Sequence, residues 1–214
     1  VRPDREHPSP VPTGMPRTAN VCRIWDQAFE VPGTLAERYL RRRNLMPPPS
    51  DIRFHPHCPY MPRPSTVFEP ALLVAVREGR RLVAVQRIFL DPATGGSTRK
   101  VMLGTPGGGA WRGGEGGTVL AIAEGFETAG AFARLNGIPC WASLGARRLD
   151  QLALPITIDC LLIAEDNDPE GHRAADRAEG RYGQPGRAIH RAPPPAGFKD
   201  WADALDAHVQ RAGV

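Results

Sequence analysis

Short apolar runs alternate with amphipathic segments throughout the C-terminal half of the chain. The apolar runs predict strands at 119–123, 140–143, 158–164 and 187–190. The segments between and after them predict helices at 127–135, 148–152, 171–182 and 200–209. Strictly alternating strands and helices are typical of an α/β fold with a parallel sheet. The unbroken apolar run at 160–164 further indicates a sheet that is covered on both faces.

The N-terminal half shows a different pattern, with two helices followed by strands. Val21, Ile24, Trp25 and Ala28 have the spacing of an amphipathic helix. A second helix is predicted from Thr34 to about residue 45, since Thr34 and Glu37 form a capping-box pattern and three prolines follow at 47–49. Apolar runs at 71–76 and 82–90 around a Glu78-Gly79 turn predict a β-hairpin, and 99–103 predicts a further strand.

Glycine and proline account for 23 residues each among 214, and their distribution predicts the domain boundaries. We expect a disordered or linker lead at 1–18, a smaller mixed α+β domain at 19–103, a glycine-rich joint at 104–117 and an α/β domain at 118–214. The joint is interpreted as flexible because glycine has the greatest backbone freedom to lose on ordering. A phosphate-binding loop is the alternative for this segment, but it contains neither of the usual glycine motifs.

Charge and cysteine content narrow the class of protein only moderately. The net charge of +4 and pI near 9.2 are compatible with nucleic-acid binding without establishing it, and the only lysines are Lys100 and Lys199. No apolar run approaches the length needed to span a bilayer. The four cysteines lie far apart, which favours reduced thiols in a cytoplasm. His55, His57 and Cys58 lack a fourth ligand, so we expect a structural loop there and no zinc.

Carboxylates follow two of the predicted parallel strands. Glu124 comes directly after the strand at 119–123, and Asp166 and Asp168 follow the strand at 158–164. Active sites in open parallel sheets form at this edge, so the three carboxylates are expected to lie close together if the strands are neighbours. Such a cluster suits Mg²⁺, which prefers oxygen ligands. The alternative is an acidic turn that caps the following helix.

The order of these motifs resembles the Toprim domain shared by bacterial-type primases, type IA and type II topoisomerases and certain nucleases. The matching segments are a strand with Glu-Gly at 120–129, a small-residue turn at 142–145, and Asp-x-Asp-x-x-Gly with the start of its helix at 164–175. The resemblance extends over about 117–209. The basic strand at 99–106 is similar to the one before the Toprim domain of bacterial primases. The Lys-Asp-Trp segment at 197–203 and residues 20–100 are similar to parts of phage and plasmid primase-type proteins.

This resemblance implies a Toprim-like Rossmannoid parallel sheet flanked by helices and preceded by a smaller mixed α+β domain. It also implies that Asp166 and Asp168 hold Mg²⁺ or Mn²⁺, with Glu124 as a proton-transfer group or a further metal ligand. Lys100, Lys199 and Arg99 would contact phosphates of the nucleotide or template, or be ordinary surface charges.

Three further features have both a functional and a structural interpretation. Asp200 could extend the acidic site or cap a helix. Arg41, Arg42 and Arg43 could bind the template or form a solvated helix face. Trp111, set among glycines, could stack on a base or belong to the core.

The resemblance implies a primase-like nucleotidyltransferase that makes short primers from nucleoside triphosphates on single-stranded DNA. The expected setting is mobile-element or phage-type replication in a bacterial cytoplasm, with a helicase or another replication protein as partner and no membrane. The alternatives are a Toprim nuclease, a non-catalytic nucleic-acid-binding module, and a haloacid-dehalogenase-like phosphatase. The sequence shows no zinc-binding domain, helicase P-loop or topoisomerase tyrosine domain.

Overall fold

The computed structural model describes residues 17–61 and 64–213. Two helices, α1 (Arg17–Asp26) and α2 (Leu35–Arg42), precede a four-stranded antiparallel sheet. Its strands, in spatial and chain order, are β1 (Ile52–Tyr60), β2 (Val67–Glu78), β3 (Arg81–Leu90) and β4 (Ser97–Gly104). The predicted hairpin is confirmed, since β2 and β3 pair antiparallel. The linker expected at 1–18 lies outside the described residues except for Arg17 and Thr18, which belong to α1.

The central strand β2 is buried on both faces of this first sheet, and the alternation of its side chains shows why. Leu72, Val74 and Val76 pack in one core cluster with Tyr39 and Leu40 of α2. Their neighbours Ala71, Leu73 and Ala75 pack in another cluster with Val21 and Ile24 of α1. Successive side chains of a strand point to opposite faces, so a strand buried on both faces must be apolar throughout.

The second sheet has five strands in the order β5-β7-β6-β8-β9. They are β5 (Trp111–Arg112), β6 (Val119–Ala123), β7 (Cys140–Ala142), β8 (Cys160–Ala164) and β9 (Ala188–Arg191). Strands β6 to β9 are parallel, and the short β5 runs antiparallel to β7. The predicted α/β fold is thereby confirmed, and β6 lies between β7 and β8.

Helices cover both faces of the second sheet. They are α3 (Phe126–Asn136), a 3-10 helix (Ala146–Gln151), α4 (Pro169–Tyr182) and α5 (Trp201–Ala212). On one face Ala121 and Ala123 pack with Phe126 and Phe132 of α3 and with Leu205 of α5. On the other face Leu120, Ile122 and Ile163 pack with alanines of α4. No helix in the described ranges is long and apolar enough to cross a bilayer.

The glycine-rich segment 104–117 is packed against both sheets and contains β5. Ala110 bridges to Arg77 of β2, and the Trp111 indole donates a hydrogen bond to the Ser50 carbonyl at 3.0 Å. A Cβ at Gly113 would lie 2.6 Å from the Cys140 carbonyl oxygen, so this glycine permits close strand packing. Trp111 is only 1% exposed, so the expectation that it could stack on a base is wrong. The domain boundaries themselves stay a prediction.

Residues 55–58 form part of a strand and not the loop that we expected. They lie in β1, whose register with β2 shifts between His55 and Cys58. The shift buries both of these residues and leaves His57 exposed. The sequence pattern does not indicate this strand, because Pro56 and Pro59 interrupt it. The two prolines are tolerated since β1 is an edge strand.

Candidate functional site

The carboxyl ends of β6, β7 and β8 meet at one edge of the second sheet and open into a cavity of about 220 Å³. Its walls come from both sheets and from the turn after β7. The lining residues are Gln86, Lys100, Glu124, Gly125, Leu144, Gly145 and Asp166. The parallel topology thus brings together Glu124 and Asp166, which are 42 residues apart in sequence, as the carboxyl-edge rule predicts.

The surroundings of Glu124 disfavour the charged form of its carboxyl group. It follows β6 directly, and its Oε1 atom is buried with no hydrogen-bond partner among the described residues. Burial raises the pKa of Glu124 to about 7, with further contributions from the charges of Asp166, Glu170 and Asp168. Such a carboxylate calls for a cation or a proton near neutral pH.

Asp166 faces the same cavity from the end of β8. Its Oδ1 accepts a long hydrogen bond, 3.4 Å, from the Thr128 hydroxyl of α3. Burial raises the pKa of Asp166 to about 6, and the charges of Asp200 and Asp168 add to the effect. The Asn167 amide donates to the Lys199 carbonyl at 2.6 Å, so the loop before α5 is fixed beside this carboxylate.

Asp168 caps α4, as the alternative interpretation of the acidic turn predicted. Its Oδ1 accepts hydrogen bonds from the amides of Glu170 and Gly171, each at 2.9 Å. The hydrogen bond from the Gly171 amide, together with that from the Glu170 amide, holds the pKa of Asp168 below its ordinary value. Both bonds go to Oδ1, which leaves Oδ2 for another ligand. Asp200 likewise caps α5 by accepting from the Asp203 amide at 2.9 Å.

The carboxylate oxygens at this edge are ligands that suit a divalent cation, although they do not converge on a single point. Within residues 17–61 and 64–213, no three His, Cys, Asp or Glu side chains are grouped closely enough to hold an ion. Nevertheless, Oε1 of Glu124 is buried without a hydrogen-bond partner among the described residues, and burial together with the charges of Asp200 and Asp168 raises the pKa of Asp166. Hard carboxylate oxygens with room for retained waters are what Mg²⁺ and Mn²⁺ prefer.

Lys100 lines the cavity but is held by a buried carboxylate. Its Nζ donates to Glu127 Oε2 at 2.7 Å, and the Tyr39 hydroxyl donates to Glu127 Oε1. Burial alone would raise the pKa of Glu127, but Lys100 and Tyr39 outweigh it and keep that pKa below the ordinary value. The ammonium is therefore fixed at the wall beside Glu124 and Asp166.

Arg99 lies on the opposite face of the first sheet from Lys100, because adjacent residues of a strand point to opposite sides. It forms a salt bridge with Glu69, and its guanidinium lies 4.2 Å from the ring centre of Tyr60. The structure does not bring it to the cavity, so the expectation that it contacts phosphate there is not supported by its position. Lys199 is exposed beside Asp166.

The three arginines of α2 and its cap also lie away from the carboxylate edge. Arg41 pairs with Glu37 at 2.5 Å, Arg42 donates to the Thr94 carbonyl at 2.8 Å, and Arg43 lies 5.9 Å from the Tyr39 ring centre. Arg41 lines a separate cavity between α2, α3 and α5. Arg41 and Arg42 are exposed, which fits the solvated-face interpretation, whereas Arg43 is half-buried beside Tyr39. Template binding by this helix stays a prediction.

Several residues at the site were missed by the sequence analysis. Gln86 is a buried polar residue that interrupts the apolar run of β3, and that interruption was the available signal. Leu144 adopts a φ of +61°, unusual for a branched side chain, in the turn that forms one wall of the cavity. No feature of the sequence indicated the role of Glu127, because its hydrogen-bond partner Tyr39 is 88 residues away.

A second buried carboxylate next to the site was missed as well. Glu165 is 4% exposed and accepts hydrogen bonds from Arg191 of β9, one of them at 3.1 Å. The His172 ring of α4 contacts its other oxygen at 3.1 Å. This cluster fixes the first turn of α4 to the end of β8 and β9, directly below Asp166.

Two family models match the sequence. Residues 119–210 match the Toprim domain, and residues 15–113 match a domain of unknown function (DUF7146). Comparison of the sequence with curated proteins gives no match.

Several solved structures with a similar fold are primases. A DNA primase domain from Pseudomonas aeruginosa is 16% identical, with 92% of this chain and 77% of that chain covered and a TM-score of 0.61. The DnaG catalytic core is 18% identical, with 91% and 73% covered and a TM-score of 0.59. The DnaG catalytic domain bound to single-stranded DNA is 17% identical, with 91% and 76% covered and a TM-score of 0.60.

The chain is shorter than several of these relatives. It spans 58% of an Aquifex aeolicus primase structure that contains zinc-binding and RNA polymerase domains, and 61% of a primase fragment of bacteriophage T7 primase-helicase. With sequence identities of 16% to 18%, the similarity to the primase structures described above shows the fold alone.

Proposed function

We propose that this chain, which contains a Toprim domain at 119–210 and has a fold similar to that of primase catalytic cores, is a metal-dependent nucleotidyltransferase that makes short primers on single-stranded DNA. The observation that carries the proposal is the cavity shared by Glu124, Asp166 and Lys100 at the carboxyl edge of the parallel strands. Two carboxylates with elevated pKa values beside a fixed ammonium suit a site that binds a cation and a triphosphate.

The carboxylates would share the work of cation binding and proton transfer. Asp166 and Oδ2 of Asp168 would hold Mg²⁺ or Mn²⁺, with Asp200 close to Asp166. When bound, the cation would neutralise charge on the triphosphate and its leaving group. The Glu124 carboxylate lines the cavity and has a pKa of about 7, so it is suited to accept the proton that leaves the attacking 3′ hydroxyl.

The basic groups would bind the phosphates of the nucleotide and the template. Lys100 is held at the cavity wall by Glu127, so its ammonium is positioned without a large entropic cost when a triphosphate binds. Lys199 lies exposed beside Asp166 and would contact phosphate from the solvent side. A template of single-stranded DNA and a setting in mobile-element replication are part of this proposal.

Incorporation of labelled nucleoside triphosphates on a single-stranded DNA template tests this function, with the input DNA followed in the same reaction. We expect wild-type protein with Mg²⁺ to extend primers, and Asp166→Asn and Glu124→Gln to lose about 100-fold or more of that activity. Asp159→Asn is the matched control, because Asp159 is exposed and precedes β8 directly, whereas Asp166 follows the other end of that strand.

The alternatives give different results in that assay. Shortening of the input DNA without incorporation, lost in Asp166→Asn, would identify a nuclease. Wild-type protein that neither incorporates nucleotides nor shortens DNA, but binds the template equally well in Asp166→Asn, would identify a non-catalytic binding module.

A further inference from the structure

A second cavity of about 750 Å³ lies at the opposite edge of the second sheet from the carboxylates. Arg112 of β5 and Trp141 of β7 form one wall, and Gly114 and Gly116 continue it. A Cβ at Gly114 would lie 3.4 Å from Pro139, the residue before β7, which places this wall at the amino ends of the parallel strands. The cavity shares no lining residue with the carboxylate site.

Three arginines line this cavity, and two of them have no acidic partner. Arg77 is satisfied by Asp51, to which it donates two hydrogen bonds at 2.6 and 2.8 Å. Arg80 and Arg112 form no salt bridge with any of the described residues. Glu115 also lines the cavity and offsets part of this charge, but the cavity keeps an excess of cationic groups.

Arg112 is the least satisfied of the three. Its guanidinium lies over the Trp141 ring, with the central carbon 4.5 Å from the ring centre, and this cation–π contact restrains the side chain. Its Nε atom is buried with no hydrogen-bond partner among the described residues. Burial lowers the pKa of Arg112, and the nearby charge of Asp51 offsets this only in part. A partly buried guanidinium without an acceptor costs free energy that a bound anion would recover.

We propose that this second cavity binds the phosphate groups of a nucleotide, with Arg112 and Arg80 as the principal donors. A planar guanidinium forms paired hydrogen bonds with phosphate oxygens, and the Trp141 ring already restrains Arg112 at the wall of this cavity. The volume lies within the range of small-ligand sites. The phosphate comes either from a free nucleotide or from the backbone of a nucleic-acid strand. The inference uses none of the catalytic carboxylates, so it stands whether or not the protein makes primers.

Calorimetric titration in EDTA tests this site without contributions from metal-dependent binding at the carboxylates. The probes are inorganic tripolyphosphate, ADP and a single-stranded oligothymidylate. We expect tripolyphosphate to bind, and Arg112→Gln to weaken its binding by about 10-fold or more, which corresponds to the loss of charge-assisted hydrogen bonds. Arg80→Gln, on an exposed turn where misfolding is not expected, should weaken it several-fold.

Arg211→Gln is the matched control, since Arg211 is exposed on α5 away from this cavity. Tighter binding of ADP than of tripolyphosphate would identify a free nucleotide as the ligand, and Arg112-dependent binding of the oligonucleotide alone would identify a strand. The proposal is overturned if no probe binds wild-type protein, if both Arg112→Gln and Arg80→Gln bind like wild type, or if Arg211→Gln loses as much affinity as they do.

Discussion

Glu124 combines burial, neighbouring negative charges and a missing hydrogen-bond partner in one side chain. Its pKa of about 7, against an ordinary value of 4.5, means that the folded protein favours the protonated form. This group therefore contributes stability that is fully present below pH 4.5 and is lost as the pH rises through 7. The arrangement that would serve cation binding and proton transfer thus destabilises the metal-free protein at neutral and alkaline pH.

Replacing this carboxylate should stabilise the metal-free protein at alkaline pH. We expect Glu124→Gln to unfold in EDTA with a free energy about 1–2 kcal/mol higher than wild type at pH 8 and about equal at pH 4.5. The full pKa shift would correspond to about 3 kcal/mol, and partial solvent access reduces this value. Urea denaturation at both pH values measures the difference.

The exposed Asp159→Asn provides the control for this measurement, and its stability should follow that of wild type at both pH values. A Glu124→Gln protein that is less stable than wild type at pH 8 would show that the carboxylate is satisfied in the metal-free fold.

At the scale of elements, the first turn of α4 is packed directly against the loop that carries Asp166. A Cβ added at Gly171 would lie 2.3 Å from the Asp166 carbonyl oxygen, which is backbone and cannot move aside cheaply. Gly180, in the last part of the same helix, is exposed and has nothing within 4 Å of the equivalent position. The two glycines of one helix therefore have opposite roles.

These roles give opposite expectations for alanine substitution. Gly171→Ala should lower the free energy of unfolding by about 1–3 kcal/mol, as overpacked sites do, and should weaken Mg²⁺ binding by displacing Asp166. Gly180→Ala should raise stability by about 0.5–1 kcal/mol, because alanine is the better helix former. Thermal denaturation and Mg²⁺ titration of both variants measure the effects. Equal effects of the two substitutions would contradict a special role for close packing at residue 171.

At the scale of the whole molecule, the two sheets share one core. The cluster that contains Val74 and Val76 of the first sheet also contains Trp111, Ala121 and Phe126 of the second half. Trp111 packs edge-to-face on Phe126 with ring centres 4.8 Å apart, and it donates to the carbonyl of Ser50. The predicted domains are thus joined by apolar packing on both sides of the glycine-rich segment.

A shared core predicts cooperative unfolding. We expect residues 17–213 to unfold in one thermal transition, and Trp111→Ala to lower the stability of the whole unit by about 3–5 kcal/mol. Calorimetry together with circular dichroism in the near and far ultraviolet would check this. Trp201→Ala, at a partly exposed site on α5, is a control that should cost less. Two separate transitions, of which Trp111→Ala moves only one, would show that the sheets are independent.

The sequence by itself determined the alternation of elements in the second half and the positions of Glu124 and Asp166. Strand runs, glycine turns and helix caps are local signals, and a strand-terminal acid in a parallel sheet can only lie at one edge. The strands β1 and β5 were not predicted, because their pairing partners are distant in sequence. In addition, prolines in β1 and glycines around β5 are not typical of strands.

Only the tertiary structure decided which charged groups meet. Arg99 and Lys100 are adjacent in sequence, but strand alternation sends one to Glu69 and the other to the carboxylate cavity. Glu127 is fixed by Tyr39, and Arg112 is oriented by Trp141, through contacts made across the sheets. Charge and hydrogen bonding act over a few ångströms, so their outcome depends on packing that brings distant segments together and that no local pattern of residues specifies.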